Sequence, residues 1–170
     1  MTKLCVKTKQ DPTQIVENLK NFKFEYKQSY ISIETYFSHL QSVVDAKALL
    51  ENSIKLKHIQ NTNQSYIIYD QNQEICSQIE SAKQTKQILL LSGLYAWCEY
   101  TCTNTIFEKQ NIEINVCTVF DVGNFLQIKS SQKNCQQIIE IIKSMGIEIE
   151  EKYNANIALE YYKIKYEETI

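Results

Sequence analysis

Apolar residues alternate with period two at Ile31 to Phe37, at Ile54 to His58 and at Ile112 to Phe120. Helical periodicity flanks them at Asp11 to Leu19 and Cys135 to Met145, and together these patterns predict a mainly β domain. The order helix, three strands, short helix, two strands, helix is that of a five-stranded Greek-key barrel of the OB-fold type. It would carry an N-terminal helix, a C-terminal helix and a short C-terminal extension. A generic α+β sandwich is the alternative.

The first regular element begins at Asp11, which caps a helix with Pro12 in its first position and Ile15, Val16 and Leu19 on one face. From Tyr30 the period becomes two: Ile31, Ile33, Thr35 and Phe37 alternate with Ser32, Glu34, Tyr36 and Ser38 in the first strand. Val43 to Leu50 fits either a continued strand or a helical turn. Ile54, Leu56 and His58 alternate with Lys55, Lys57 and Ile59, and polar Asn61 to Gln64 leads into Tyr66 to Tyr69, a hairpin of strands two and three. Ile75, Cys76 and Ile79 have helix-like spacing before Lys83, and Ile88 to Tyr100 runs apolar and aromatic as a long central fourth strand. The fifth strand, Ile112 to Phe120, ends by Gly123.

After Asn124 the period is helical, densest at Cys135, Ile138, Ile139, Ile141, Ile142 and Met145, and Gly146 stops it as a C-terminal cap. The tail alternates at Ile147 and Ile149, turns at Asn154 to Asn156, and alternates again through Tyr162, Ile164 and Tyr166, as a closing hairpin would. No internal repeat is visible at any period. The domain is expected over residues 1–146, with 147–170 packed on it as an extension.

At 170 residues and 44% apolar composition, with a mean hydropathy of -0.34, the chain can bury a core without a disulfide or metal staple. Three glycines and one proline leave no visible linker. A net charge of -2 and a pI near 5.8 argue against a strong stand-alone nucleic-acid binder, whose affinity rests on clustered cations. All eighteen basic residues are Lys, so the bidentate guanidinium fork is missing. Six cysteines without a signal peptide read as thiols in a reducing compartment, and Cys98 with Cys102 lacks the second pair of a zinc site. No apolar run approaches the roughly 20 residues that span a bilayer.

Between Gln87 and Ile142 a family resemblance emerges. The succession KQILLLSGLYAWCEY, a variable loop, then IEINVCTVFDVGNFLQIK and a helix resembles strands four and five and the C-terminal helix of the smallest subunit of the telomere-associated CST complex. That subunit is an OB-fold relative of the small subunit of replication protein A. The size and the Asn, Gln and Lys bias are similar to those of the small subunit in the CST-like module of telomerase holoenzymes. The resemblance implies a non-catalytic subunit in the nucleus, at the telomeric region of the chromosome. It would pair with a middle OB-fold subunit, meet the large subunit and telomerase indirectly, and support complementary-strand synthesis. An α+β adaptor without nucleic-acid binding is the alternative.

Two sets of residues carry these expectations. On an OB barrel the face of strands two and three binds single strands, which places Lys55, Lys57, Tyr66 and Tyr69 as nucleic-acid contacts, weak or indirect ones; ordinary half-buried strand residues are the plainer reading. On the C-terminal helix, Cys135, Ile138, Ile139, Ile142 and Met145 fall within about 120°, and Ile141 widens the stripe to roughly 160°. One edge of that stripe could cap the barrel while the other, as the resemblance implies, meets a helix of the middle subunit. His39 and His58 have no Ser or Cys at a motif spacing, Gly93, Gly123 and Gly146 are isolated, and the pairs Glu150/Glu151 and Glu167/Glu168 sit in a charge-rich tail. No enzyme class, cofactor or metal is expected.

Overall fold

The computed structural model describes residues 1–40, 46–70, 74–150 and 155–167. It opens with a strand that precedes the expected first helix: in β1 (Thr2–Thr8), Leu4 and Val6 enter a core while Lys3, Cys5 and Lys7 take the other face. Asp11 then caps α1 (Pro12–Asn21), accepting from the Thr13 amide at 2.8 Å, with Ile15 and Leu19 as the buried side. There follow β2 (Glu25–Ser38), α2 (Ala46–Glu51), β3 (Ile54–Ile59), β4 (Gln64–Asp70), β5 (Glu74–Ile79), α3 (Ala82–Leu91), β6 (Tyr95–Lys109), β7 (Ile112–Val119) and β8 (Gly123–Ser130). α4 (Cys135–Ser144), α5 (Ile157–Tyr162) and a π-helical turn (Lys163–Glu167) complete the chain.

The strands form one eight-stranded sheet in the order β1-β8-β7-β6-β2-β3-β4-β5, antiparallel at β1/β8, β7/β8, β2/β3, β3/β4 and β4/β5. This corrects the five-stranded OB barrel. The supposed fourth strand is two elements: α3, capped by Ser81, ends where the Ser92 amide bonds to the Ile88 carbonyl at 2.9 Å, and the chain turns at Gly93, φ 84°, into β6. Ile75, Cys76 and Ile79, spaced like a helix, belong to strand β5. The expected fifth strand is β7 and the expected C-terminal helix is α4, but the stretch from Gly123 to Ser130 between them is not helical: it is β8, paired with β7 in register from Ile112 opposite Ser130 to Val119 opposite Gly123. The tail is helical at α5 rather than a hairpin, and the open stretch near Val43 becomes α2 from Ala46 onward, with residues 43–45 outside the described residues.

The chain divides into two compact units: residues 1–30 with 103–156, and residues 31–102 with 157–170. In the first, α1 and α4 pack on one side of the strands around Leu4, Val6, Ile15, Leu19, Phe107, Ile114, Leu126, Ile128, Ile138 and Ile142. α4 starts at a capping box in which Asn134 accepts from the Gln137 amide and the Gln137 side chain accepts from the Asn134 amide. In the second unit α3 packs its Leu89 against Phe37 and Leu56, with Ile54, Ile67, Ile79 and Leu94 partly buried beside them.

Both units follow one plan, which corrects the expected absence of an internal repeat. At an offset of seventy residues Asp11 answers to Ser81 as helix cap, Leu19 to Leu89 as buried helix residue, and Lys23 (φ 61°) to Gly93 (φ 84°) at the turn. Phe37 and Phe107, both fully buried, share that offset. Even the hydrogen bonds repeat: Ser29 donates to Thr105 at 3.1 Å in the first unit, and Thr35 donates to Glu99 at 2.7 Å in the second.

Candidate functional site: a buried glutamate between two lysines

In the second unit, the strand face turned away from α3 gathers a cluster of polar groups. Glu34 and Tyr36 come from β2, Lys55 and Lys57 from β3, Tyr66 from β4, and Cys98 and Tyr100 from β6. Register places Lys57 opposite Glu34, Lys55 opposite Tyr36 and Tyr66 opposite Lys57. Lys57 Nζ lies 3.1 Å and Lys55 Nζ 3.5 Å from the Glu34 carboxylate, and the Tyr100 hydroxyl donates to it at 3.0 Å. Lys55 also stands 5.8 Å from the centre of the Tyr36 ring, whose hydroxyl meets that of Tyr100 at 3.4 Å.

The electrostatics follow from this crowding. Burial alone would raise the Glu34 pKa, but Lys55 and Lys57, with hydrogen bonds from Lys57 and Tyr100, outweigh it and hold the carboxyl at about 2. Glu34 is therefore a fixed anion that orients two ammonium groups, far too weak a base to take a proton at neutral pH. Burial pushes the Tyr100 hydroxyl well up, and the Glu34 charge adds to this, so Tyr100 remains a donor. Burial, then Glu34 and Glu99, push the Cys98 thiol up to about 12, which removes it as a nucleophile. α5 flanks the cluster: Cys98 Sγ donates to the Ala158 carbonyl at 3.8 Å, and Tyr161 lies 5.8 Å from Tyr100, centre to centre.

Lys55, Lys57 and Tyr66 are thus brought together, whereas Tyr69 falls on the opposite face with Ile67. Glu34 and Tyr100 are the residues that sequence reasoning passed over; an acid on the polar phase of an otherwise apolar strand was the available signal. Ile138, Ile139, Ile142 and Met145 lie in the core of the first unit, with Ile141 packed against it and Cys135 exposed. His58 does have a serine: its Nδ1 is 2.9 Å from Ser65 Oγ, its cross-strand neighbour. Glu151 and Glu168 lie outside the described residues. In the first unit, Asn115 donates to Asn104 at 2.8 Å and to Gln127 at 3.0 Å, and Lys129 pairs with Glu113 at 3.2 Å. Among the described residues no three His, Cys, Asp or Glu side chains converge as they would to hold a metal ion.

No protein-family model and no curated protein matches the chain. Solved structures do. PH1819 of Pyrococcus horikoshii is 19% identical, with a TM-score of 0.78 over 100% of both chains. A candidate adenylate cyclase of Vibrio parahaemolyticus is 12% identical, with a TM-score of 0.70 over 89% of this chain and 92% of that one. The Hippeastrum adenylyl cyclase candidate HpAC1, whose dominant activity is that of a triphosphatase, is 9% identical, with a TM-score of 0.62 over 91% of each chain. At these identities the likeness is one of fold. The telomeric small-subunit reading rested on a likeness of sequence pattern between Gln87 and Ile142, and the expectation that the chain does no chemistry on the absence of a catalytic motif. Eight strands in this order, shared with chains that include a triphosphatase, overturn both.

Proposed function

We propose that the chain binds a triphosphate-bearing compound at Lys55, Lys57 and Tyr66 and hydrolyses its terminal phosphoanhydride bond. The observation that carries this reading is the convergence of two ammonium groups on one buried carboxylate, on one strand face. Phosphoryl transfer needs little covalent help from protein; positioning and charge stabilisation do most of the work. Lys55 and Lys57 are point charges suited to phosphate oxygens, Glu34 fixes where they stand, and Tyr66 stands opposite Lys57 on the next strand. The dominant triphosphatase activity of HpAC1 supports the substrate class.

The test is phosphate release from inorganic triphosphate and from ATP in magnesium buffer, paired with calorimetric titration of each. Both should register, and Lys55→Ala with Lys57→Ala should weaken binding at least tenfold. Absence of binding together with phosphate release no faster than in a protein-free blank would overturn the reading.

A further inference from the structure

The side chains of Lys55 and Lys57 expose only 26% and 17% of their surface, and that of Glu34 between them 7%. An ammonium group that receives phosphate oxygens has to be reachable, so part of this face must open before a triphosphate meets both lysines.

Among the described elements, α5 is seated on this face beside the cluster. Tyr161 sets its ring 5.8 Å from that of Tyr100, and Tyr162 sets its ring 5.9 Å from that of Trp97. The rings continue between these two anchors: Trp97 lies 5.6 Å from Tyr36, and Tyr36 lies 6.1 Å from Tyr100. Tyr36 is also the ring beside the Lys55 ammonium, and Tyr100 donates to Glu34. The same two tyrosines therefore belong to the ring chain that seats α5 and to the lysine cluster, so a change at one is felt by the other.

The seat is of a kind that can be left. Ile157 and Ala158 are buried, but α5 has six residues, too few for a helix to persist in water by itself. Ring edges and the bond from Cys98 Sγ to the Ala158 carbonyl join it to β6, whereas a backbone ladder joins β2 to β3. Trp97 is fixed independently, its indole N–H donating to Ser53 Oγ at 2.7 Å, so the strands keep this ring in place when the helix departs.

We propose that α5 is a cover over the lysine cluster: docked, it holds Lys55 and Lys57 out of reach, and a triphosphate that engages them displaces it. The identity of the ligand rests on the triphosphate reading above, and the cover rests on the ring contacts. The effect is reciprocal: if bound triphosphate lifts α5, loosening α5 tightens triphosphate binding.

Trp97 is the single tryptophan of the chain and Cys98 bonds to Ala158, so both report on α5. The probe is the β,γ-imido analogue of ATP in magnesium buffer, whose bridging N–H resists hydrolysis. At saturation it should speed maleimide modification of Cys98 in the full wild-type chain at least tenfold and raise acrylamide quenching of Trp97. The double variant Tyr161→Ala, Tyr162→Ala should modify Cys98 quickly without ligand and bind the analogue at least fivefold more tightly in calorimetry. Tyr161→Phe with Tyr162→Phe, which keeps both rings, should behave as the wild type. An analogue that binds the wild type yet leaves Cys98 and Trp97 as protected as before overturns the cover while the triphosphate reading stands, and this arm depends on no variant. Equal or weaker affinity of the alanine variant, shown by circular dichroism to be folded, overturns it too. If neither protein binds the analogue, the triphosphate reading and the ligand-driven opening fall together.

Discussion

Tyr100 and Glu34, sixty-six residues apart in the chain, share one hydrogen bond of 3.0 Å, and through it β6 helps hold a charge that β3 neutralises. The bond defines the cluster's chemistry: the carboxylate stays ionised, the phenol stays protonated, and the two lysines keep their places.

Acid should unpick this arrangement. The Glu34 pKa is about 2 in the fold against an ordinary value of 4.5, so its stabilisation is complete above about 4.5 and is lost as pH falls from there through about 2. Urea titrations between pH 7 and pH 2.5 should show the wild type losing roughly 3 kcal/mol that Glu34→Gln, already the weaker protein at pH 7, has no means of losing. Parallel pH profiles for the two proteins would contradict the assignment.

Lys23 and Gly93 occupy the same turn with φ 61° and 84°, a region that favours glycine. Lys23→Gly relieves about 1 kcal/mol of backbone strain and gives back about half of it through the freer unfolded chain. A small rise in thermal midpoint is expected, whereas Gly93→Ala should lower it. Calorimetry that finds both changes neutral would show that the turn carries no strain.

Truncations should reveal how unequally the units are packed. Ile142→Ala, in the core of the first unit, should destabilise by about 2–5 kcal/mol through lost burial and the cavity left behind. Leu91→Ala, at an exposed position of α3, should stay within about 0.5 kcal/mol. Chemical denaturation of the two variants reads the contrast, and comparable losses would mean that α3 is covered in the isolated chain.

Thiol labelling offers a fourth check. Cys76 and Cys135 are exposed, Cys98, Cys102 and Cys117 are buried, and burial pushes the Cys5 thiol up to about 12. At neutral pH a maleimide should modify Cys76 and Cys135 quickly and the other four only on unfolding, as peptide mapping would report. Rapid modification of Cys98 would mean that α5 leaves its place readily.

The sequence made the local elements readable wherever burial follows periodicity. Asp11 with Pro12, the alternation through Phe37, the hairpin from Ile54 to Tyr69 and the stripe ending at Gly146 all became the expected kind of structure. Misreadings fall where burial and periodicity part. Ile88, Leu89, Leu90 and Leu91 look like a buried strand because four apolar residues run together, yet only Leu89 is buried. β5 hides its alternation because Ser77 stands between Ile75 and Ile79 on the same face. The repeat escaped notice because equivalent positions kept their roles and changed their residues, Asp11 against Ser81 and Phe24 against Leu94. The lysines of the candidate site were legible as cations on a strand face. Their anion was not, since Glu34 reads as one more polar residue in an alternating strand.

The edge of β1 is closed by backbone bonds from Glu150 and Ala155, and its paired strand is β8. During synthesis, then, β1 waits long for its neighbours: more than a hundred residues separate Thr8 from Gly123, where β8 begins, and the better packed unit waits on them. The second unit, drawn mostly from the continuous stretch 31–102, can assemble earlier on shorter loops, although its core is the thinner one. A nascent chain therefore passes through an interval in which Leu4 and Val6 lack their cover, and how long that interval lasts is set by the rate of translation rather than by the stability of the finished fold.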